Sequence, residues 1–210
     1  MSYGDAPPQS PIVTLTRRLE ETTALDGLAG VLRPLSEQLL SDRTRADALH
    51  GTWLGHALHP LLSIVPLGAW TSATVLDVAG GEESRAAAQR LVGTGIIAAA
   101  PTALTGLAEF GNLGQRDRRT ASLHAVSNQV ALGLFVASWV SRRRGNHRRG
   151  AALAATAHLA AGFGGFLGGH LTEARKVSSA HPAFEESDAA VADPDDFTPP
   201  ADELTTPEPA

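Results

Sequence analysis

The chain has no cysteine, which excludes disulfides, thiolate metal sites and cysteine-ligated iron–sulfur clusters. It is also short of aromatics, with 6 Phe, 3 Trp and 1 Tyr in 210 residues. Ala and Gly dominate the centre instead, and small residues let helix backbones approach closely. No nucleophile triad, phosphate-cradling loop or HExxH pattern is present, so no motif announces a reaction and the residues leave open whether the chain is an enzyme. Met1–Pro11 lacks an apolar core and does not read as a signal peptide. From His181 to Ala210 there is no Lys or Arg, against nine carboxylates. The rest of the chain therefore stands at +4, with its basic residues beside apolar stretches. Juxtamembrane arginines account for that charge, and no nucleic-acid signature accompanies it.

What the chain does have is four long apolar runs. The mean hydropathy of -0.04 hides them, because polar ends dilute an apolar centre. The runs are Ala57–Ala79, Leu91–Phe110, Ala121–Trp139 and Ala151–Leu171. A helix rises about 1.5 Å per residue, so about twenty residues cross a hydrocarbon layer of about 30 Å. The expected fold is all-α: an integral membrane four-helix bundle with polar, partly disordered termini. Four segments follow: 1–11 disordered, 12–50 amphipathic and helical, 51–177 carrying the spans, and 178–210 an acidic disordered tail. Within the second segment Leu28, Val31, Leu32, Leu35 and Leu39 form a helical stripe that Pro34 would kink or split. That stripe suits either a helix lying on the membrane or one packed on the span ends.

Features inside the spans carry their own expectations. Trp53 and Trp139 mark membrane interfaces. Pro66 leaves the carbonyl near Leu62 without its usual donor, which a neighbouring helix must then supply; Pro101 predicts a similar bend. Two rows of small residues, Gly95/Ala99/Ala103 and Ala98/Thr102/Gly106, are candidate packing seams. His158, Gly162, Gly165 and Gly169 share a face bare enough for a neighbouring helix or a planar ligand. The five arginines after the third span argue for a cytoplasmic loop there and termini outside, but the basic residues from Arg43 to Lys176 that flank the spans tie at seven a side.

An up-and-down order of spans brings His56, His59, Glu109, His124 and His170 to one end, with Asn128 a turn deeper. Asp77, Arg90 and His158 fall in the other half. Ionisable groups in a bilayer are costly and tend to face one another or a cavity. Neutral imidazole ligates zinc, iron or copper, and two imidazoles clamp a haem iron. His59, His124 and His170 are thus candidate haem b ligands. His56, His59, Glu109, His124 and His170 are candidate ligands of a divalent metal. The plainer alternatives are a headgroup-level hydrogen bond for His56 and His59, an interfacial one for His170, and Asn128 or a carbonyl for His124. Glu109 would then be a solvated helix-end carboxylate or pair with Arg116 or Arg119, His158 would pack, and Asp77 would pair with an arginine or make a helix contact. His50, His147 and His181 read as surface histidines.

Particular fragments resemble a known family. They are Leu49-His50-Gly51-Thr52-Trp53-Leu54-Gly55-His56-Ala57-Leu58-His59-Pro60, Pro66-Leu67-Gly68-Ala69-Trp70 with Asp77, and Pro101 through Phe110. His124 through Asn128 and Gly168-Gly169-His170-Leu171 continue the pattern, which covers roughly Leu25–Val177. The combination resembles the bacterial domain-of-unknown-function family 2231. That resemblance implies four spans, a multi-pass place in the bacterial inner (plasma) membrane and no assigned activity. Its Gly-His-x-Leu-His-Pro element falls on Gly55, His56, Leu58, His59 and Pro60, and its small-residue and acidic element on Gly106 and Glu109. Many relatives have Asp-Trp where this chain has Glu109-Phe110, which changes the reach of the carboxylate. Some relatives are joined to a Rieske-type domain, which implies redox work by association; this sequence has no cysteine for one. The expectations are a haem- or metal-binding redox component with a redox or membrane-protein partner, or a non-catalytic membrane scaffold or interaction protein.

Overall fold

A computed structural model of the chain describes residues 10–177. The expected acidic tail and most of the expected disordered N-terminus lie outside the described residues. Among the described residues regular structure is entirely helical. Three helices, α1 (Pro11–Glu21), α2 (Asp26–Leu39) and α3 (Arg43–His50), precede four long ones. Those are α4 (Leu58–Ala79), α5 (Arg85–Phe110), α6 (Gln115–Arg143) and α7 (His147–Gly169), the last continued by a π-turn over His170–Ala174. All four are long and apolar enough to cross a membrane.

Local chemistry sets the boundaries. Ser10 caps α1 with its hydroxyl, which accepts from the Val13 amide, and Pro11 takes the first position, where a missing amide costs nothing. Asp42 caps α3 by accepting from the Arg45 amide at 2.8 Å. Gly51 and Gly55 follow with φ of 73° and 83°, a left-handed conformation that suits glycine, and turn the chain into α4. Pro34, Pro66 and Pro101 lie inside continuous helices, so α2 is kept whole rather than split. α5 begins six residues before the expected Leu91, at Arg85, and α6 begins at Gln115, ahead of the expected Ala121. Charged residues at span ends do not stop a helix that keeps its amides paired.

The spans pair as two helical hairpins, α4 with α5 and α6 with α7, joined through α5 and α6. At their centre Trp70 stacks on Phe135 with ring centres 4.0 Å apart, and His158 meets Phe135 edge-on at 5.2 Å. The Trp70 indole donates to the Val92 carbonyl at 3.3 Å, and Gly95 leaves the room the indole occupies. Small residues fill the rest: Ala73, Ala88, Ala131, Ala154 and Ala157 are almost fully buried. Large aliphatics point outward, with Val78 83% exposed and Ile97 and Leu159 each 77%. Small inside and bulky outside is the arrangement of a bundle solvated by acyl chains.

One seam differs from the expected one. Gly162, Gly165 and Gly169 face open space, and no neighbouring helix approaches them. α7 instead packs one position earlier, through Gly150, Ala154, Ala157, Ala161, Gly164 and Gly168. One residue is about 100° of helix, so the sequence offered two small faces and the polar side chains of α6 selected between them. A methyl on Gly164 would meet Asn128, and one on Gly168 would meet His124.

Asp77 pairs with an arginine, as expected: Arg142, at the end of α6, donates to both its oxygens at 2.7 and 2.5 Å. Arg142 is 1% exposed, and its Nε also donates to Ser138 at 3.2 Å. Stranding one member of such a pair costs about 3–5 kcal/mol. Asp77→Ala is therefore expected to lower stability in micelles by about that amount, read from thermal or denaturant unfolding. The double variant Asp77→Leu/Arg142→Met leaves no unpaired charge and should recover most of the loss; equal losses in both would show that packing, not charge, holds this contact.

Candidate functional site

The end of the bundle where histidines were expected to converge holds them in separate arrangements. His59, in the first turn of α4, donates from Nδ1 to the Thr102 carbonyl of α5 at 2.8 Å. Its ring lies against Gly106, where a methyl would come within 2.7 Å of it. His59 therefore bonds across to α5 rather than to headgroups. The Thr102 hydroxyl in turn donates to the Leu62 carbonyl at 3.2 Å. That carbonyl is the one Pro66 leaves without a helical donor, and the neighbouring helix supplies it as expected.

His124, on α6, donates from Nδ1 to the Gly164 carbonyl of α7 at 2.7 Å. The Asn128 amide lies 3.1 Å from its Nε2. Both plain partners expected for His124 are thus present. The His59 and His124 rings meet edge-on across the hairpins, with centres 6.3 Å apart and planes at 83°.

The remaining candidates are tied to the N-terminal helices. Glu109 accepts from Nδ1 of His50 on α3 at 3.1 Å, in place of the expected Arg116 or Arg119. His50 is accordingly not a surface histidine: it is largely covered where α3 meets the end of α5. His170 pairs through Nε2 with Glu20 of α1 at 2.8 Å. Arg175 reaches Asp117 at 2.8 Å and stands 3.6 Å from Glu20. Arg119 makes a two-pronged bond to Asp26 at 2.7 and 2.9 Å and also donates to the Glu20 carbonyl at 3.0 Å. The Arg119 guanidinium holds the Asp26 carboxyl below its usual range. His56 is exposed, its Nδ1 facing its neighbour's carbonyl, that of Ala57, at 3.1 Å. His158 packs, as expected, and bonds to the Ala154 carbonyl at 2.9 Å.

Of the residues expected to form one cluster, the structure thus joins His59 to His124 and sends Glu109 and His170 elsewhere. Among the described residues no group of three or more His, Cys, Asp or Glu is placed to hold a metal. The partners that sequence reasoning missed are His50, Glu20 and Asp26. Their pairings span 59, 150 and 93 residues, so no local spacing could have revealed them. The one available signal was Arg119, a charge beside a span that needs an acid close by.

Four long apolar helices with small residues inside and bulky ones outside define a multi-pass membrane protein. A family profile described as "Predicted membrane protein (DUF2231)" matches residues 55–181, and the chain belongs to that family. No curated protein and no solved structure matches it.

The His50–Glu109 contact gives a pH signature. The Glu109 carboxylate bonded to its imidazole raises the His50 pKa above the ordinary value of 6.5. A raised histidine contributes its full stabilisation below about pH 6.5 and loses it as pH climbs through the raised value. The stability difference between wild type and His50→Gln in micelles should therefore be largest, about 1 kcal/mol, at pH 6 and shrink at higher pH. A difference that is flat from pH 6 to 9 would remove the ion pair from the account.

Proposed function

We propose that the chain is a non-catalytic membrane scaffold or interaction protein, carried by four spans in the bacterial inner membrane. The observation that carries this reading is where the polar groups go. His50, Glu109, His170, Glu20, Asp26, Arg119, Asp77 and Arg142 bond to one another, between helices, and so serve assembly. In this reading residues 51–177 are the platform and residues 178–210 are the partner-facing tail. Nine carboxylates without a cation from His181 to Ala210 suit a basic protein surface. Crosslinking followed by affinity capture from native membranes tests this, comparing the full chain with one ending at residue 179. The tail-dependent partners should vanish with the tail; an identical partner set would take the tail out of the function.

A second reading rests on one observation, the edge-on approach of the His59 and His124 rings from two different spans. Both Nδ1 atoms are held by backbone carbonyls, which leaves Nε2 as the lone-pair nitrogen of each ring. If a haem bound here, His59 and His124 are the residues that would hold its iron, one from α4 and one from α6. Asn128 lies against His124 Nε2 and would have to turn aside. A bound haem would supply one-electron chemistry; the chain's own part would be to hold the two rings. Visible spectra of detergent-purified protein, oxidised and reduced, separate the readings. The scaffold reading expects no Soret band. A Soret band that shifts on reduction and is lost in His124→Ala, with membrane insertion intact, would establish the redox reading in its place.

A further inference from the structure

The N-terminal helices turn polar groups towards the bundle and leave apolar ones uncovered. On α1 the buried residues are Thr16 and Glu20, while Ile12 and Leu15 are exposed. On α2 Ser36 is fully buried, while Leu28, Val31 and Leu35 are exposed, Val31 by 62%. In a water-soluble protein this pattern is inverted.

Helix geometry resolves it. At about 100° per residue, Leu28, Val31 and Leu35 form a row roughly 100° round the helix from Ser36 and roughly 150–170° from Arg33 and Glu37. On α1 the row Ile12, Leu15 and Leu19 lies roughly 90° from the Thr16/Glu20 face and roughly 150–170° from Arg17 and Glu21. Both helices are therefore three-sided: one side packed on the bundle, one apolar, and a charged side opposite the apolar one. In both, the packed face follows the apolar row in the same rotational sense. The helices also travel the same way round the rim: α1 packs on α6, α2 on α6 and α5, and α3 on α5 and α4. Equal handedness and equal direction aim both apolar rows the same way along the bundle axis.

We infer that α1 and α2 form a half-belt at the lipid–water boundary, with the Ile12/Leu15/Leu19 and Leu28/Val31/Leu35 rows seated in acyl chains. The occupant is lipid because α1 and α2 are fastened to the ends of α6 and α7, spans that are long and apolar enough to sit in a bilayer, so acyl chains lie beside the rows. The charge segregation fits as well: Arg33 and Glu37, bonded to each other at 2.7 Å, occupy the side left to water. Trp53, 70% exposed on the turn that follows α3, sits at the same rim, where an indole favours the headgroup layer. Acids and bases are nearly balanced on the three helices, so insertion rests on apolar area and not on anionic lipid.

The absence of native cysteine makes the test direct. Single cysteines replace Ile12, Val31, Leu35, Arg33 or Glu37 in the full chain, with Val78→Cys as the lipid-facing reference. Each is labelled with an environment-sensitive fluorophore in phosphatidylcholine vesicles. The label is quenched either by doxyl-labelled lipid or by aqueous iodide. Probes at 12, 31 and 35 should behave like the one at 78, blue-shifted and at least about twofold more sensitive to doxyl lipid than those at 33 and 37. Ile12 and Val31 lie off the packed faces, so their replacement leaves the docking of the helices intact. Iodide quenching at 12, 31 and 35 equal to that at 33 would place the rows in water and overturn the inference. Shielding from both quenchers would mean that a protein surface, a second copy or a partner, covers the rows, and would overturn it too.

Discussion

Arg142 carries a guanidinium charge into an interior where it is 1% exposed. An isolated charge there would cost several kcal/mol, so the bundle end is arranged to satisfy it. α4 contributes Asp77, α6 itself contributes Ser138, and α7 comes close only because position 150 is glycine. A methyl at Gly150 would fall 2.5 Å from the Arg142 side chain. The Ser138 hydroxyl donates a hydrogen bond to the Gly150 carbonyl at 2.6 Å, closing the set across α6 and α7. Three helices are thereby placed relative to one another by a single guanidinium.

The same requirement recurs throughout the molecule. Hydrocarbon supplies no hydrogen-bond partner, so polar groups within the bundle must find theirs in the protein. His59 finds Thr102, His124 finds Gly164, and Thr102 repairs the carbonyl that Pro66 leaves open. At the histidine end the partners come from outside the spans. Asp26 and Glu20 on the N-terminal helices hold Arg119 and His170, and His50 holds Glu109. The polar stitching that fastens these helices to the bundle is also what turns their apolar rows outward, because each helix has only one side to give to it. Stability and membrane placement here share one cause.

This spending of charge bears on function. A cluster of His and Glu at one membrane side suggests metal chemistry when only span order is known. Once His59, Glu109, His124 and His170 each have a partner in another helix, the same inventory describes assembly. His59 and His124 are the exception in geometry, since their rings approach each other edge-on while a carbonyl holds each Nδ1.

The sequence by itself determined the number of spans, their approximate lengths, the repair needed at Pro66 and the family. Those depend on the hydrophobic length of contiguous residues and on local backbone chemistry, which neighbours in sequence define. Only the tertiary structure decided that Glu109 goes to His50, that His170 goes to Glu20, and that α7 packs through Gly164 and Gly168 and not through Gly162, Gly165 and Gly169. Each of these is a competition among partners of similar chemistry many residues apart. What settles such a competition is which pair can be brought together without stranding another polar group, and that is a property of the whole packing.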